Sequence, residues 1–325
     1  MKDLEEKRTV IVVVGPTASG KTSLGIDIAK ELNGEIISAD SMQIYKGLDV
    51  GTAKATEEEQ AQVKHHLIDI CDIEAEFSVA EYKKLCYERI DEIIAMGKTP
   101  VIVGGTGLYV NAVVNNMNFD DYVSTDDYAK SSIRKELENM LQEKGKEYLY
   151  NMLLELDSEA TKTIHMNNTK RVIRAIELAK EGIYKGNIDK RNDLWNRNES
   201  KYNFIIICID MPREKLYERI NMRVDLMRDS GVIEEAEMLK QMELPSKNTA
   251  LQAIGYKEFF DYIDGKETLD EALEKLKQST RRYAKRQITW FKKLKCDIIY
   301  NDDMTKQELV EEIKRMMYGE TKSKE

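Results

Sequence analysis

The sequence is poor in cysteine, proline, histidine and tryptophan, and long hydrophobic runs are missing from it. Its 325 residues include 4 Cys, 4 Pro, 3 His and 2 Trp. Because the four cysteines are far apart in the chain and form no Cys-x-x-Cys pair, we expect neither a disulfide framework nor a structural zinc site. The apolar run at residues 10–14 is too short for a signal peptide or a membrane span. We therefore expect a soluble, reduced, cytoplasmic protein with no membrane partner.

A net positive charge is also missing, since 59 acidic residues outnumber 50 lysines and arginines and give a net charge of −9. Taken alone, this charge argues against a nucleic-acid partner, because surfaces that bind nucleic acids are basic. One stretch is basic despite the negative net charge. Residues 275–295 contain nine lysines and arginines and no acidic residue, and Tyr283, Trp290 and Phe291 lie between the basic residues. Such a composition is typical of surfaces that contact RNA phosphates and stack on bases. The alternative is a basic helix face that pairs with acidic neighbours.

Residues 15–22 read Gly-Pro-Thr-Ala-Ser-Gly-Lys-Thr and match the phosphate-binding pattern G-x-x-x-x-G-K-[ST] in full. A buried strand is predicted before the motif, at 9–14, and a helix after it, at 21–32, which is the context that the motif needs. Backbone N–H groups would converge on phosphate oxygens, Lys21 would add a positive charge, and the Thr22 hydroxyl would bind Mg²⁺. The candidate phosphate ligands are Gly15, Pro16, Thr17, Ala18, Ser19, Gly20, Lys21 and Thr22. The loop alone leaves its ligand open: ATP in a small-molecule kinase, GTP in a switch protein, or the diphosphate of another compound.

The length of the chain suits two domains, or one α/β domain with an insertion. Strand and helix patterns alternate up to residue 103, which predicts a parallel sheet with helices on its faces. The segment 115–200 contains no convincing strand, and a strand pattern returns at 204–210. We therefore predict an α/β protein whose P-loop-containing parallel-sheet core and C-terminal helices comprise residues 1–114 and 201–325. The predicted insertion, 115–200, is an all-helical subdomain in which Trp195 is a core or hinge residue.

Two further loops, each following a predicted strand, carry candidate catalytic side chains. Asp40 follows the second strand, and its carboxylate can hold Mg²⁺ through water or accept a proton from a nucleophile; a structural role as a turn cap is the alternative. Thr106 stands among three glycines after the strand at 100–103, and it is the only side chain there that can form a hydrogen bond. The loop at residues 47–54 contains two glycines and a lysine, and its length also suggests a function.

Together these motifs resemble the tRNA dimethylallyltransferase family, the isopentenyltransferases that prenylate adenosine in anticodon loops. The resemblance extends from about residue 10 to residue 300, and it rests on GPTASGKT, ISADSMQIYKGLDVGTAK, HHLIDI, FSVAEY and PVIVGGTGLY, followed by NTKRVIRA, AIGYKE and RYAKRQITWF. Ala55 stands where the family pattern usually has proline. No C-terminal Cys/His cluster is present, so the sequence resembles the shorter bacterial-type members without a zinc finger.

The resemblance implies that the phosphate loop holds the diphosphate of dimethylallyl diphosphate, with Mg²⁺ as the cofactor. It implies transfer of the dimethylallyl group to N6 of the adenosine 3′ of the anticodon in tRNA, with release of diphosphate. Asp40 is then the base, and Thr106 hydrogen-bonds the amine or orients the carboxylate. Arg219 and Arg223 are expected to bind the diphosphate, although Arg219 could equally pair with Glu218 on a solvated surface. The rival readings are a P-loop small-molecule kinase that uses ATP and an RNA-binding ATPase or GTPase switch.

The partner implied by the resemblance is the anticodon stem-loop of tRNA, and we expect the protein to be a monomer. Next to Asp40, Gln43 carries an amide edge that suits an adenine. The insertion and the basic C-terminal helix are both expected to contact the RNA. The residues expected to contact tRNA are Asp40, Ser41, Met42, Gln43, Thr106, Lys170, Arg171, Val172, Ile173, Arg174, Lys285, Arg286, Gln287, Ile288, Thr289, Trp290, Phe291 and Lys292.

Overall fold

The structure is a computed structural model that describes residues 8–117, 127–182, 199–245 and 248–319. Trp195, interpreted from the sequence as a core or hinge residue, lies outside these ranges. The chain divides into two compact units, of which one comprises Met1–Asn116 with Glu199–Glu325 and the other Met117–Asn198. Within the described ranges, no helix combines the length and the apolarity that crossing a bilayer requires.

The described part of the first unit contains one parallel sheet, which confirms the predicted α/β fold. Its strands are β1 (Arg8–Val14), β2 (Gly34–Ser38), β3 (His65–His66), β4 (Thr99–Gly104), β5 (Tyr202–Ile209) and β6 (Ile298–Tyr300). The strand order is β3-β2-β4-β1-β5-β6. Residues 10–14 of β1 are fully buried, because helices cover both faces of the sheet and apolar, β-branched side chains fill both.

Helices precede and follow these strands. In chain order they are α1 (Lys21–Glu31), α2 (Glu57–Gln62), α3 (Val79–Ala95), α4 (Gly107–Val114), α5 (Asp127–Leu156), α6 (Ser158–Thr161), α7 (Thr169–Lys180), α8 (Arg213–Asp229), α9 (Val232–Gln241), α10 (Phe260–Ile263), α11 (Leu269–Phe291) and α12 (Lys306–Tyr318). Short 3₁₀ turns lie at Ala250–Gln252 and Lys257–Phe259. Helices α5 to α7 belong to the second unit, and α5 is interrupted at Gly145, whose φ is +80°.

The position of β4 between β1 and β2 brings three loops together at the carboxyl edge of the sheet. A Cβ added at Gly104 would lie 2.2 Å from the carbonyl oxygen of Ala39, so only glycine allows this approach. The N–H of Thr106 then donates to the same Ala39 carbonyl at 3.1 Å. The loops after β1, β2 and β4 therefore form one edge, which is where ligands of such sheets bind.

The sequence predicts no disulfide framework, but the structure brings one pair of cysteines together, Cys208 and Cys296. Cys208 lies on β5 and Cys296 just precedes β6, and the structure joins them in a disulfide with Cα atoms 6.0 Å apart. Their separation of 88 residues concealed this pairing, which arises because β5 and β6 are adjacent parallel strands. Cys71 and Cys86 are free thiols, and burial raises the pKa of Cys86 to about 12.

Candidate active site

The phosphate loop joins β1 to α1. Gly20 takes a φ of +92°, in the left-handed region that favours glycine, and α1 then begins at Lys21. Gly20 has no side chain with which to cap the helix, so the N–H groups of the first turn can meet an anion. The Lys21 ammonium donates to the carbonyl oxygen of Pro16 at 2.9 Å, which holds the side chain over the loop.

Lys21 is a buried cation whose charge depends on its neighbours. Burial lowers its pKa to about 8; the negative charge of Asp40 opposes this shift, and the positive charge of Arg223 adds to it. The ammonium therefore remains protonated at neutral pH but loses its proton within the range in which enzymes are commonly assayed. A bound polyanion would favour the protonated form.

The affinity of the free protein for inorganic diphosphate is expected to fall as pH rises through about 8, by up to about tenfold per pH unit. Below that pH the Lys21 ammonium attracts the anion, and above it the neutral amine does so only weakly. Calorimetric titrations between pH 7 and pH 9 measure this effect. The variant Lys21→Met has no group that titrates at this position, so a wild-type profile no steeper than that of the variant would contradict the prediction.

Two arginines of α8 lie beside the phosphate loop. Arg223 Nη1 donates to the Thr17 hydroxyl at 3.3 Å, and burial lowers the pKa of the Arg223 guanidinium. Arg219 is exposed, and its Nη2 lies 3.4 Å from the place that a Cβ would take at Gly20. A depression of about 240 Å³ over the loop is lined by both arginines together with Gly20, Lys21 and Thr22. The two predicted diphosphate ligands are therefore within reach of an anion on the loop.

Ser41, which follows Asp40 in the chain, links the Asp40 loop to Thr106. The N–H of Met42 donates to Asp40 Oδ1 at 2.9 Å, which closes a tight turn and orients the carboxylate. Thr106 Oγ1 accepts a hydrogen bond from the N–H of Ser41 at 3.0 Å and donates one to the Ser41 hydroxyl at 3.3 Å. The structure thus brings together the two side chains predicted to be catalytic, although they are 66 positions apart in the chain.

A cavity of about 330 Å³ connects the phosphate loop to Asp40. Such a volume accommodates a small organic ligand. Its polar lining includes Lys21, Thr22, Asp40 and Arg223, and its apolar lining includes Val224 and Met227. The cavity can therefore hold a molecule that combines an anionic group with a short hydrocarbon.

Gln43 lines the same cavity, but its amide is already engaged within the protein. Gln43 Nε2 donates to the carbonyl oxygens of Ala53 at 3.1 Å and Thr52 at 3.4 Å, and Oε1 accepts from the Ser38 hydroxyl at 3.0 Å. A bidentate contact with adenine requires one free donor and one free acceptor. The prediction that the Gln43 amide pairs with an adenine edge is therefore corrected. Gln43 can offer the cavity only the remaining lone pair of its oxygen.

Lys54, which suggested a function for the loop at 47–54, has a structural role. Its ammonium is buried, forms ion pairs with Asp49 and Asp69, and donates to the carbonyl oxygen of Tyr45 at 2.9 Å. A buried cation with these three acceptors is satisfied and cannot also bind a ligand.

Helix α11 contributes Gln287 and Phe291 to the interior. Gln287 is 4% exposed; its Oε1 accepts from the N–H of Thr17 at 2.7 Å, and its Nε2 donates to the carbonyl oxygen of Gly105 at 2.9 Å. Phe291 is also buried. The expectation that both side chains face tRNA is corrected, since they occupy the buried side of an amphipathic helix. Gln287 instead bridges the phosphate loop and the Thr106 loop.

Other α11 residues predicted to bind tRNA do face solvent. The exposed residues are Lys285, Arg286, Thr289 and Lys292. Ile288 packs against a small apolar cluster, and the Trp290 ring lies so close to Gly107 that a Cβ there would be 2.3 Å from it. At the start of the basic stretch, Lys275 and Lys277 form ion pairs with acidic residues. These two lysines therefore pair with acidic neighbours, which is the alternative to RNA binding for the basic stretch.

In the second unit, the predicted tRNA-binding segment begins α7. Val172 and Ile173 are buried in the apolar core of that unit. Arg174 pairs with the buried carboxylate of Glu177 at 3.1 Å. Lys170 and Arg171 are exposed, and they remain the predicted RNA contacts of this segment.

Tyr283 has a position that the sequence did not predict. Its hydroxyl interacts with Thr106 and Gln287, and burial together with the charge of Asp40 raises the pKa of Tyr283 well above its usual value. The phenol therefore stays protonated beside Asp40 and Thr106. Tyr283 and Gln287 are four residues apart on one helix, and this spacing is the sequence signal that places them on one face.

Comparison with known proteins agrees with this geometry. The family model described as IPP transferase matches residues 43–294. The chain belongs to this family. A tRNA dimethylallyltransferase of Acetivibrio thermocellus is 51% identical and covers 90% of this chain and 92% of its own length. One of Bacillus thuringiensis is 44% identical and covers 100% of this chain and 98% of its own.

Solved structures of the IPP transferase family show the same fold. The tRNA Δ(2)-isopentenylpyrophosphate transferase of Staphylococcus epidermidis is 41% identical, with a TM-score of 0.66 and coverage of 96% of this chain and 99% of that one. A eukaryotic dimethylallyltransferase acting on tRNA is 29% identical, with a TM-score of 0.74 and coverage of 90% of this chain and 74% of that one. These likenesses favour the transferase over the kinase alternative.

Proposed function

We propose that the protein transfers the dimethylallyl group of dimethylallyl diphosphate to N6 of the adenosine 3′ of the anticodon in tRNA. The observation that carries the proposal is that the phosphate loop, Asp40 and apolar side chains line one cavity together. A diphosphate would lie on the loop and its five-carbon chain against the apolar wall. Family membership and the names of the relatives support the same reaction. We propose that the enzyme acts as a monomer in the cytoplasm, where its tRNA substrate is found.

Asp40 is proposed as the general base. An exocyclic amine is a poor nucleophile because its lone pair is delocalised into the purine ring, so its proton must leave as the new bond forms. The N6 atom attacks C1 of the allyl group, the C1–O bond breaks, and diphosphate departs with the electron pair. The N6 proton passes to Asp40. Thr106 is hydrogen-bonded to Ser41, the residue after Asp40. It thereby positions the Asp40 loop relative to the N6 amine.

Departure of diphosphate requires compensation of its growing negative charge. Lys21, Arg223 and the first N–H groups of α1 supply this compensation at the phosphate loop. Because these groups are preorganised by folding, they need not be rearranged during the reaction.

Mg²⁺ is proposed as a cofactor on the basis of the donors at the loop. The described residues contain no cluster of three or more His, Cys, Asp or Glu side chains that could enclose a metal. Mg²⁺ bound to phosphates keeps most of its waters and needs only one or two protein ligands. The Thr22 hydroxyl, which lines the cavity beside the phosphate loop, would supply such a ligand. When bound, the ion would neutralise charge on the leaving diphosphate.

Incubation with isotopically labelled dimethylallyl diphosphate and unmodified tRNA tests the proposal. We expect label in the tRNA and release of one diphosphate per transfer. Nucleoside analysis of the product should place the label on N6 of the adenosine that follows the anticodon. Absence of label together with hydrolysis of ATP, or phosphorylation of a small molecule, would favour the rival kinase or switch instead.

The exposed cations of α11 are expected to contribute phosphate contacts to tRNA binding. Arg286→Ala and Lys292→Ala should each weaken tRNA binding and reduce the salt dependence of the association constant by about one unit of slope, because each contact releases about one counterion. Binding titrations at several salt concentrations measure the slope. Lys275→Ala is a matched control, since Lys275 already pairs with Glu267. An unchanged slope in both α11 variants would remove this face from the RNA surface.

A further inference from the structure

The loop at residues 47–54 is held from outside by one carboxylate on α9. Glu235 Oε1 accepts from the N–H groups of Asp49 at 3.1 Å and Val50 at 2.9 Å, and Oε2 accepts from those of Val50 at 3.0 Å and Gly51 at 3.1 Å. Consecutive N–H groups that converge in this way form a concave anion site. The carboxylate fills that site from within the protein, so the loop is shaped around it.

Tyr256 holds both the Glu235 carboxylate and the opposite side of the loop. The Tyr256 hydroxyl donates to Glu235 Oε2 at 2.9 Å. A Cβ at Gly51 would lie 2.5 Å from the Tyr256 ring, and a Cβ at Gly255, whose φ is +116°, would lie 2.7 Å from the Gly51 carbonyl oxygen. The motifs GLDVGTAK and AIGYKE, far apart in the sequence, therefore interlock through their glycines.

This interlocked loop determines how Gln43 faces the cavity. The carbonyl oxygens of Thr52 and Ala53 directly follow the three N–H groups held by Glu235, and both accept from Gln43 Nε2. Two carbonyl acceptors require the nitrogen on that side of the amide, so Oε1 is directed away from the loop. A displaced loop would free the amide to rotate and would exchange donor for acceptor at the cavity.

We infer that Glu235 is a positioning residue for RNA recognition: it holds the loop that orients the Gln43 amide, so that Gln43 meets the RNA as a hydrogen-bond acceptor. This inference rests on the proposed function for its substrate. It follows that Gln43 accepts a hydrogen bond from a base that offers an amino or imino N–H. Glu235 does not contact the RNA itself.

A double-substitution cycle tests the inference. Michaelis constants for an anticodon stem-loop RNA and for dimethylallyl diphosphate are measured for Glu235→Gln, Gln43→Ala, the double variant and Glu237→Gln, an exposed control on the same helix. The amide in Glu235→Gln keeps one acceptor but directs an NH₂ group at the loop N–H groups. We expect it to raise KM for the RNA about tenfold, as loss of a charge-assisted contact does, and to leave KM for dimethylallyl diphosphate within about twofold. The double variant should be no worse than Gln43→Ala alone.

Amide hydrogen exchange of residues 49–54 supplies a readout that does not depend on catalysis. Faster exchange in Glu235→Gln than in Glu237→Gln is expected, and equal protection would overturn the inference. Effects that multiply in the double variant, or equal rises in both Michaelis constants, would also overturn it. If Glu235→Gln fails to fold, Tyr256→Phe removes a single donor and carries the same cycle. If the wild type transfers no dimethylallyl group while Glu235→Gln still loosens the loop, the proposed function fails and the role of Glu235 in holding the loop stands.

Discussion

Asp40→Asn is expected to lower the turnover number by about 10²- to 10⁴-fold, the contribution that a general base makes, while tRNA and dimethylallyl diphosphate bind almost as well as before. Asparagine keeps the size of the side chain and the Oδ1 acceptor for the N–H of Met42, so the turn after β2 should persist. What is lost is the group that accepts the N6 proton. Because the charge of Asp40 raises the pKa of Lys21, Lys21 should lose its proton at a lower pH in the variant than in the wild type, so the two proteins should be compared well below pH 8.

Single-turnover kinetics and separate binding titrations distinguish the role of Asp40 as a base from other roles. A large fall in rate with unchanged affinity for both substrates is the expected result. A comparable loss of diphosphate affinity that excess Mg²⁺ restores would show that Asp40 mainly holds metal. Ser41→Ala is a comparison variant on the same loop, since it removes the hydroxyl that accepts from Thr106 but keeps the N–H that donates to Thr106 and leaves Asp40 in place.

The second large effect is expected for Gln287→Leu, which replaces a buried bridging amide by an apolar side chain of similar size. The Gly105 carbonyl loses its partner in the interior and the N–H of Thr17 loses its acceptor. An unsatisfied buried group costs about 1–3 kcal/mol, so we expect the free energy of unfolding to fall by about 2 kcal/mol. Since the bridge sets the phosphate loop against the Thr106 loop, turnover should fall by about 10²-fold, as small displacements of reacting groups cause.

Denaturant unfolding and steady-state kinetics measure the two parts of this prediction. Arg286→Ala is the comparison variant, because loss of an exposed tRNA contact on the same helix should raise KM for tRNA without lowering stability. If Gln287 served only as a tRNA contact, its substitution would raise KM for tRNA and leave both stability and diphosphate affinity unchanged. That outcome would contradict the bridging role.

Much of the site could be predicted from local sequence patterns. The phosphate loop follows from a glycine motif between a buried strand and a helix, and both the strand and the helix begin within two residues of their predicted positions. Asp40 and Thr106 follow from their places directly after predicted strands, since the carboxyl ends of parallel strands meet at one edge. Each of these inferences uses residues that are close in sequence, where periodicity and turn chemistry decide the conformation.

Other features escaped prediction because they join segments that are far apart in the chain. Glu235 is an ordinary helix residue by sequence, and only packing against residues 49–51 gives it three N–H partners. Lys54 reads as a ligand-binding lysine until its two carboxylate partners are known. The disulfide between Cys208 and Cys296 likewise depends on the order of strands, which local patterns do not specify.

The sequence by itself determined the sheet-and-helix alternation, the phosphate loop, the candidate base and the basic stretch from Lys275 to Lys295, because each is encoded in neighbouring residues. Only the tertiary structure decided which residues of that stretch face inward. Gln287 and Thr17 are 270 positions apart, yet their hydrogen bond sets the C-terminal helix against the phosphate loop. The physical reason is that buried polar groups must find partners, and the identity of those partners depends on the whole fold.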